Sequence, residues 1–353
     1  MKMKILILIF ALLSIFIWKC ADEPPLVPET PVEEEALNKT IGEVTPILSL
    51  PAGNSTEGIA IDLRGNMYVS NTRGADRSIN EILKFTNNGN WEVYATIPGA
   101  GQVRGLVTDL IGNVYAAFAD NTEMKGVYRI GHSRIPVRLK GSEEIGSPNS
   151  LTFDWKGNLY ATDSYKGLEL EGAVWCYNAR DRKFNILIKD KLFNGALDPA
   201  FGKIPGANGI AFYPPNKLYI ANTSQGLICQ VTIGKNRNHP IIELVKQDPL
   251  LTTIDGIAVD IYENIYGVLP GCTLGFGLPP VVKLDTRSGI VTPIVLDNSL
   301  FDTPTSLAFG RGWGNWTSIY IANANLPYGQ PPQAGTGVVK VSVGIFGLGK
   351  NAE

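Results

Sequence analysis

A short two-strand phrase recurs six times along this chain, and it constrains the fold more than any other feature of the sequence. Each copy has a run of small and β-branched residues, a turn that often carries Asp and Gly-Asn, and a second run centred on Tyr. In the first five copies the opening residue precedes this Tyr by eleven positions, and the sixth copy has four extra residues. Repeats of this kind are typical of β-propellers. The copies are EGIAIDLRGNMYVSN from Glu57, RGLVTDLIGNVYAAF from Arg104, NSLTFDWKGNLYATD from Asn149, NGIAFYPPNKLYIAN from Asn208, DGIAVDIYENIYGVL from Asp255 and TSLAFGRGWGNWTSIYIAN from Thr305.

A third strand-like run follows every copy, and a fourth follows the first five copies, for example WEVYATI, KFNILI and IVTPIVL. The sixth copy lacks the fourth run, but EVTPILSL from Glu43 closely resembles the fourth run of copy five. We therefore predict an all-β fold, a six-bladed β-propeller closed by an N-terminal strand that completes the last blade. The propeller is expected to be one domain over residues 43–345, with 346–353 as a C-terminal tail.

The first 42 residues have a different character from the repeats. Lys2 and Lys4 precede an apolar run that is too short for a comfortable bilayer crossing, which predicts a signal peptide over residues 1–20. Cys20 resembles the lipidation site of a bacterial lipoprotein precursor, although Lys19 stands where that pattern has a small residue. Ordinary cleavage and a retained anchor stay open as alternatives. Residues 21–42 are acidic and rich in Pro, so they are expected to form an extended tether. The predicted location is the periplasm or cell surface as a lipoprotein, or alternatively the secreted fraction.

Charge and cysteine content narrow the class of partner. The chain has a formal net charge of −2, and its acidic excess lies in the tether, so the propeller is nearly neutral. A neutral body argues against nucleic acid and favours a small-molecule partner, with the protein expected to be a monomer.

Cys176 and Cys229 are expected to be buried thiols, and Cys272 lies in a predicted loop.

The opening residues of the six copies should meet at one mouth of the central channel, because the innermost strand of each blade lines it. Glu57, Asn149, Asn208 and Asp255 then present oxygen donors that suit Ca²⁺, with Mg²⁺, Mn²⁺ and Zn²⁺ as further options. A wet channel mouth that simply collects polar residues is the alternative. Substrate or supporting contacts at the same face are expected from Arg104, Thr305, Asn71, Asp163, Asn222 and Asn323, some of which would only cap loops.

At these residues the chain resembles the senescence marker protein (regucalcin) and gluconolactonase family, and the related diisopropylfluorophosphatase and paraoxonases. Members are six-bladed propellers with an axial divalent metal, usually calcium, held by a Glu, two Asn and an Asp in that order. The matching segments are TEGIA, PNSL, ANGIA and IDGIAVD, which contain Glu57, Asn149, Asn208 and Asp255.

This resemblance implies an exported metal-dependent hydrolase of lactone or ester type, with the metal polarising the substrate carbonyl and Asp255 as base or nucleophile. Two departures narrow the expectation. Sugar-lactone enzymes carry an Arg where this chain has Ser147, and the paraoxonases use a histidine pair that His132 and His239 do not supply. Apolar segments that start at Pro270 and Leu326 would form a rim suited to a substrate with hydrophobic surface.

Two other function classes remain open. A cell-surface propeller that binds a protein or glycan would use the same tether but would not need the acid and amide residues at the axis. A strictosidine synthase-like activity is the second alternative, and that family uses a catalytic Glu in the last blade, where this chain has Thr305.

Overall fold

The computed structural model describes residues 40–348, apart from 52, 75, 87–88, 168, 179, 235–238, 312–314 and 326–334. The predicted signal peptide, Cys20 and nearly all of the predicted tether lie outside the described residues. Within them, six antiparallel sheets follow one another as the blades of a β-propeller, so the predicted fold class is confirmed. Blades 1 to 6 are numbered in chain order, starting with the sheet that contains Met67–Arg73.

Every blade has four strands in antiparallel order from the axis outward. The innermost strand of blade 1 is split into two segments, Asn54–Ser55 and Ile59–Ile61. The outer strands of blade 1 are Met67–Arg73, Ile79–Phe85 and Trp91–Pro98; blade 2 has Gly101–Thr108, Val114–Asp120, Gly126–Ile130 and Pro136–Arg138; blade 3 has Pro148–Phe153, Leu159–Lys166, Glu171–Asn178 and Lys183–Lys189; blade 4 has Ala207–Tyr213, Lys217–Asn222, Leu227–Thr232 and Ile241–Gln247; blade 5 has Ile257–Val259, Ile265–Val268, Val281–Leu284 and Val291–Val295; and blade 6 has Pro304–Phe309, Ser318–Asn323 and Gly335–Ser342.

The ring closes through the N-terminal strand, Val44–Leu50, which pairs antiparallel with Gly335–Ser342 and becomes the outermost strand of blade 6. The backbone N–H of Gly42 also donates to the carbonyl oxygen of Ser342 at 2.8 Å. An edge strand of the last blade is therefore covered by the start of the same chain, as its similarity to the fourth strand of blade 5 predicted.

In four of the six blades, the recurring Asp, Asn and Tyr form one hydrogen-bonded unit in the turn between the first and second strands. In blade 3, Asp154 Oδ1 accepts the backbone N–H groups of Lys156 and Asn158, and its Oδ2 accepts Asn158 Nδ2 and the Tyr160 hydroxyl. Blades 1, 2 and 5 repeat this arrangement around Asp62, Asp109 and Asp260. The carboxylate thus accepts hydrogen bonds from turn N–H groups that the strands leave unpaired, and it fixes the nearby Tyr side chain in the core.

Glycine recurs directly after the axial residue because neighbouring innermost strands approach closely there. A Cβ atom on Gly209 would lie 2.3 Å from the carbonyl oxygen of Asp255, and one on Gly105 would lie 2.3 Å from that of Asn149. Gly58 and Gly256 face the carbonyl oxygens of Arg104 and Thr305 in the same way. A side chain at these positions would force the blades apart at the axis.

The hydrophobic core lies between adjacent blades rather than at one centre. One cluster joins Tyr68 of blade 1 to Phe118 of blade 2, and the other clusters link further blade pairs in the same manner. A small hairpin, Ala196–Asp198 and Gly202–Ile204, is inserted between blades 3 and 4. The helices of the described part are 3-10 helices of three or four residues: Ser142–Glu144, Lys191–Phe193, Pro249–Leu251 and Pro270–Thr273. None of them is long and apolar enough to cross a membrane.

Candidate metal centre at the channel mouth

Five of the six axial residues lie at interruptions in the ladder of the innermost strand, and Asp255 lies two residues before the blade 5 strand; none is the first residue of its strand, the position that the sequence pattern indicated. Arg104 lies within the register shift between Val103 and Leu106, and Asn149 and Asn208 lie in equivalent shifts of blades 3 and 4. Glu57 falls between the two segments of the blade 1 strand. Because a bulge turns a side chain out of its regular alternation, these irregularities aim one side chain in each of the five blades at the axis.

Hydroxyl groups on the second strands fix the orientation of the two axial asparagines. Asn149 Nδ2 donates to Ser164 Oγ at 2.9 Å, and Ser164 in turn donates to the carbonyl oxygen of Ala207 at 2.9 Å. Asn208 Nδ2 donates to Thr223 Oγ1 at 2.9 Å. Since the hydroxyl protons are used by carbonyl groups, the amide nitrogens must face the hydroxyls and the Oδ1 atoms must face away from them.

The Oδ1 atom of Asn208 is the clearest sign that the axis is built to receive a ligand. It is buried and has no hydrogen-bond partner among the described residues, and the residue as a whole is 3% exposed. A buried amide oxygen without a donor costs free energy unless something else fills its coordination. The Asn208 side chain lies beside the Asp255 carboxylate and acts to lower its pKa through a hydrogen bond.

The two axial carboxylates share a buried environment. Burial raises the pKa of Asp255 well above its usual range, and the charge of Glu57 raises it further, whereas Arg104 and Asn208 act in the opposite direction. Burial also raises the pKa of Glu57, against the lowering effect of Arg104 and Arg77. Two carboxylates that resist ionisation together form a site that a divalent cation would stabilise in its charged form.

Arg104 reaches across the mouth from blade 2 and contacts blades 1 and 3. Its Nε atom lies 3.8 Å from Glu57 Oε1, and its Nη1 donates to Ser147 Oγ at 2.9 Å. Burial acts to lower the pKa of Arg104, but Glu57, Tyr165 and Asp255 together raise it above its ordinary value. A guanidinium group therefore lies beside the position where the sugar-lactone enzymes have an arginine of blade 3.

Most of the predicted supporting residues hold loops in place. The Asp163 carboxylate accepts the backbone N–H groups of Gly146 and Ser147 at 2.8 and 2.7 Å, which orders the segment before Asn149. Both ends of the Asn222 amide bind the loops around it, through the carbonyl oxygens of Leu192 and Asn194 and through Ser224 and Gln225. This residue caps loops and does not offer donors to the axis.

The other predicted supporting residues, Thr305, Asn323 and Asn71, also form hydrogen bonds to neighbouring segments. Thr305 donates its hydroxyl to the carbonyl oxygen of Glu57 at 3.1 Å, and Asn323 Nδ2 donates to the carbonyl oxygen of Leu300 at 3.1 Å. Asn71 Nδ2 donates to Glu81 at 3.0 Å, while its buried Oδ1 has no hydrogen-bond partner among the described residues. The sequence did not single out Ser164, Thr223, Tyr165 and Arg77, although the first three come within two positions after Asp163 or Asn222, which the repeat marks.

The rim of this mouth is partly apolar. The inserted hairpin approaches the blade 5 loop, where the rings of Phe201 and Phe276 are 6.1 Å apart between centroids. Cys272 of that loop is buried, as are Cys176 and Cys229, and none of the three forms a disulfide with a described residue. His132 and His239 are both exposed, as expected for surface residues. The predicted rim segment that starts at Leu326 lies outside the described residues.

The donor set fits a hard divalent cation better than a soft one. Glu57 and Asp255 supply carboxylate oxygens and Asn149 and Asn208 supply amide oxygens, which are the ligands that Ca²⁺ accepts. Among the described residues no group of three or more His, Cys, Asp or Glu side chains is placed to hold a metal, so a site at the axis depends on its amides.

Known structures share this architecture. A protein assigned as a gluconolactonase is 16% identical, with a TM-score of 0.63 over 91% of this chain and 98% of its own. A gluconolactonase from Xanthomonas campestris is 13% identical, with a TM-score of 0.60 over 88% and 92%. A streptogramin B lyase is 12% identical, with a TM-score of 0.55 over 86% and 99%. No protein-family model and no curated protein matches the sequence. At sequence identities this low, the structural similarity shows a common fold and nothing about activity.

Proposed function

We propose that this chain is a metal-dependent hydrolase of lactones or esters, with Ca²⁺ held by Glu57, Asn149, Asn208 and Asp255. The observation that carries the proposal is the buried Oδ1 of Asn208, which has no hydrogen-bond partner among the described residues, together with two buried axial carboxylates whose pKa values are raised. The gluconolactonase structures with the same architecture support this choice of reaction over the other activities found on propellers. When bound, the cation would supply Lewis-acid polarisation of the substrate carbonyl oxygen.

The protein's own groups then have separate tasks. Asp255 holds and orients the attacking water, or takes its proton, because burial raises its pKa well above the usual range for a carboxyl group. Arg104 has guanidinium donors beyond the one that it gives to Ser147, and these stabilise negative charge on the substrate oxygen. Phe201 and Phe276 exclude water from one side of the mouth and favour a substrate with an alkyl or aryl group.

We further propose that the protein is a monomer exported by its N-terminal segment, and that lipid on Cys20 tethers it to a membrane. The observation behind this is the positively charged and apolar start of the sequence, which ends in that cysteine. Radiolabelled palmitate should enter the wild-type protein and not the Cys20→Ser variant. Equal labelling of both would contradict the lipid tether.

Metal analysis combined with hydrolysis assays tests the main proposal. The purified protein should contain about one divalent ion per chain and should hydrolyse members of a lactone, aryl-ester and organophosphate panel, with activity lost in chelator and restored by Ca²⁺. Asp255→Asn should retain the metal and lower kcat at least about a hundredfold. Asp285→Asn, in the turn between the outer two strands of the same blade, is the matched control and should leave kcat unchanged. Activity that is indifferent to chelator would contradict the proposal and favour a binding scaffold.

A further inference from the structure

A second cavity lies in the channel on the side away from the axial residues. It has a volume of about 450 Å³ and is lined by the later residues of the innermost strands, among them Ile59, Leu106, Leu151, Ile257 and Leu307. Each of these residues lies two places beyond an axial residue, and the cavity continues to the turns that follow the strands. Because all innermost strands run in the same direction along the axis, these turns form the opposite mouth of the channel.

The cavity has the composition of a ligand pocket. Its wall consists largely of aliphatic side chains, and its volume lies within the range of about 300–1,000 Å³ that is typical of small-molecule sites. Large apolar side chains at its rim are exposed to solvent: Leu110 is 54% exposed, Ile111 is 70% exposed and Trp155 is 60% exposed. These residues occupy the same turn in blades 2 and 3, directly after the Asp that organises it. Exposed apolar groups concentrated around one opening are typical of a binding site.

Arg311 adds a single positive charge to this apolar wall. The residue borders the cavity, and burial lowers the pKa of its guanidinium. It forms no ion pair and no hydrogen bond within the described part of the chain. The nearest opposing charge, Asp62, already accepts hydrogen bonds from Arg64, Asn66 and Tyr68 in its own turn.

Other acids at the rim do not neutralise this charge. Asp109 and Asp154 border the cavity, but each carboxylate accepts four hydrogen bonds from its own turn. Among the described residues, the cavity wall therefore contains one half-buried guanidinium group that has no carboxylate within ion-pair distance. A monoanion matches this charge, and a planar carboxylate matches the fork of donors in Arg. A dianion such as phosphate would be opposed by the two nearby acids.

We propose that the opposite mouth binds a free monocarboxylate with an alkyl chain, which places its hydrocarbon between the innermost strands and its carboxylate against Arg311. This site is separate from the proposed metal centre, because the two are at opposite ends of the innermost strands. It requires neither the metal nor hydrolytic activity.

Calorimetric titration with octanoate and with the uncharged octan-1-ol tests this site. The titrations are performed in chelator, so that the carboxylate cannot bind a metal at the axis. The wild-type protein should bind octanoate saturably. Arg311→Gln should weaken octanoate binding at least about tenfold and octan-1-ol binding less than about threefold. Ala308→Phe, which fills the cavity wall, should weaken the binding of both compounds, and Ala258→Val is a milder version if that variant does not fold.

The control variants locate the site. Exposed Arg287→Gln should bind octanoate as the wild type does, and Asp255→Asn should also leave this binding unchanged. Three results would each overturn the proposal: no saturable binding of octanoate, an equal loss of affinity for octanoate and octan-1-ol in Arg311→Gln, or a loss of octanoate affinity in Asp255→Asn. Sedimentation that shows a dimer, insensitive to octanoate and abolished by Ile111→Lys, would assign the rim to a second copy and would also overturn it.

Discussion

Thr223 Oγ1 accepts a hydrogen bond from Asn208 Nδ2 at 2.9 Å and donates its own proton to the carbonyl oxygen of Ile254 at 2.7 Å. One hydroxyl group thereby connects the axial residue of blade 4 to the residue that precedes Asp255 in blade 5. It also fixes which end of the Asn208 amide faces the axis. Ser164 does the same between Asn149 and Ala207. The two candidate asparagine ligands are thus held by hydroxyl groups in, or directly after, the second strands of their blades.

Replacing Thr223 by Val should weaken Ca²⁺ binding about 10- to 100-fold, because the Asn208 amide loses the partner that orients it. The free energy of unfolding should fall by about 1–3 kcal/mol, since buried polar groups lose their hydrogen bonds. Thr223→Ser retains the hydroxyl and should bind Ca²⁺ nearly as well as the wild type. Calorimetric Ca²⁺ titration provides the comparison, with exposed Thr292→Val as the control. Equal affinity in Thr223→Val and Thr223→Ser would show that the hydroxyl does not position the ligand.

Arg104→Gln separates two roles of the guanidinium group, which lies 3.8 Å from Glu57 and contacts Ser147. If Glu57 and Asp255 bind the metal as proposed, removing a cation beside them should strengthen Ca²⁺ binding. If Arg104 stabilises charge on the substrate, kcat/KM should nevertheless fall about 10²- to 10³-fold at saturating Ca²⁺. Both quantities are measured on the same preparation. Tighter Ca²⁺ binding with unchanged kcat/KM would show that Arg104 only offsets the charge of Glu57.

The stability of the metal-free protein should carry a pH-dependent contribution from Asp255. Its pKa is raised in the folded state, so this carboxyl favours folding fully at pH values below its unfolded pKa of about 4 and loses that contribution as pH rises through the folded value. Asp255→Asn removes the titration. In chelator, this variant should therefore gain melting temperature relative to the wild type as pH increases from 4 to 8.

Asp285 provides a control, because its pKa is shifted on folding in the opposite direction to that of Asp255. Hydrogen bonds from the turn lower its pKa, so its contribution is present above the unfolded pKa and is lost as pH falls. Asp285→Asn should therefore not gain melting temperature relative to the wild type with rising pH. Excess Ca²⁺ should reduce the pH effect at Asp255, because the ion binds the ionised form. A difference between Asp255→Asn and wild type that does not change with pH would contradict the buried, coupled environment of this acid.

The repeat made the architecture predictable because each of its marked residues has a local physical function. In four of the six phrases the Asp binds the Asn and the Tyr within six positions, as Asp154 binds Asn158 and Tyr160, so the sequence spacing preserves their geometry. Ring closure was predictable as well, because the N-terminal strand resembles the strand that occupies the same position in blade 5.

Other features depended on contacts between distant segments and could not be predicted from the sequence. Asn222 was a candidate for the site, but the conformation of the preceding blade connection places the carbonyl oxygens of Leu192 and Asn194 against its amide. Arg104 could have faced the channel or solvent, and Ser147 Oγ fixes its direction. The opposite-mouth cavity results from side-chain size at matching positions of several blades, which no single repeat reveals.

The glycine that follows four of the six axial residues gives a last test of how closely the blades must approach. Gly209 N–H donates to the carbonyl oxygen of Asp255 at 3.1 Å, and a Cβ at position 209 would lie 2.3 Å from that oxygen. Gly209→Ala should therefore push blade 5 outward, lower the free energy of unfolding by about 1–3 kcal/mol and weaken Ca²⁺ binding. Gly131→Ala is the control, because its new Cβ would meet only a side-chain oxygen, at 3.3 Å. Its free energy of unfolding should differ from that of the wild type by no more than about 0.5 kcal/mol. Denaturant unfolding and Ca²⁺ titration of both variants provide the measurements. Wild-type stability and Ca²⁺ affinity in Gly209→Ala would contradict the prediction and would mean that the blades tolerate a wider axis.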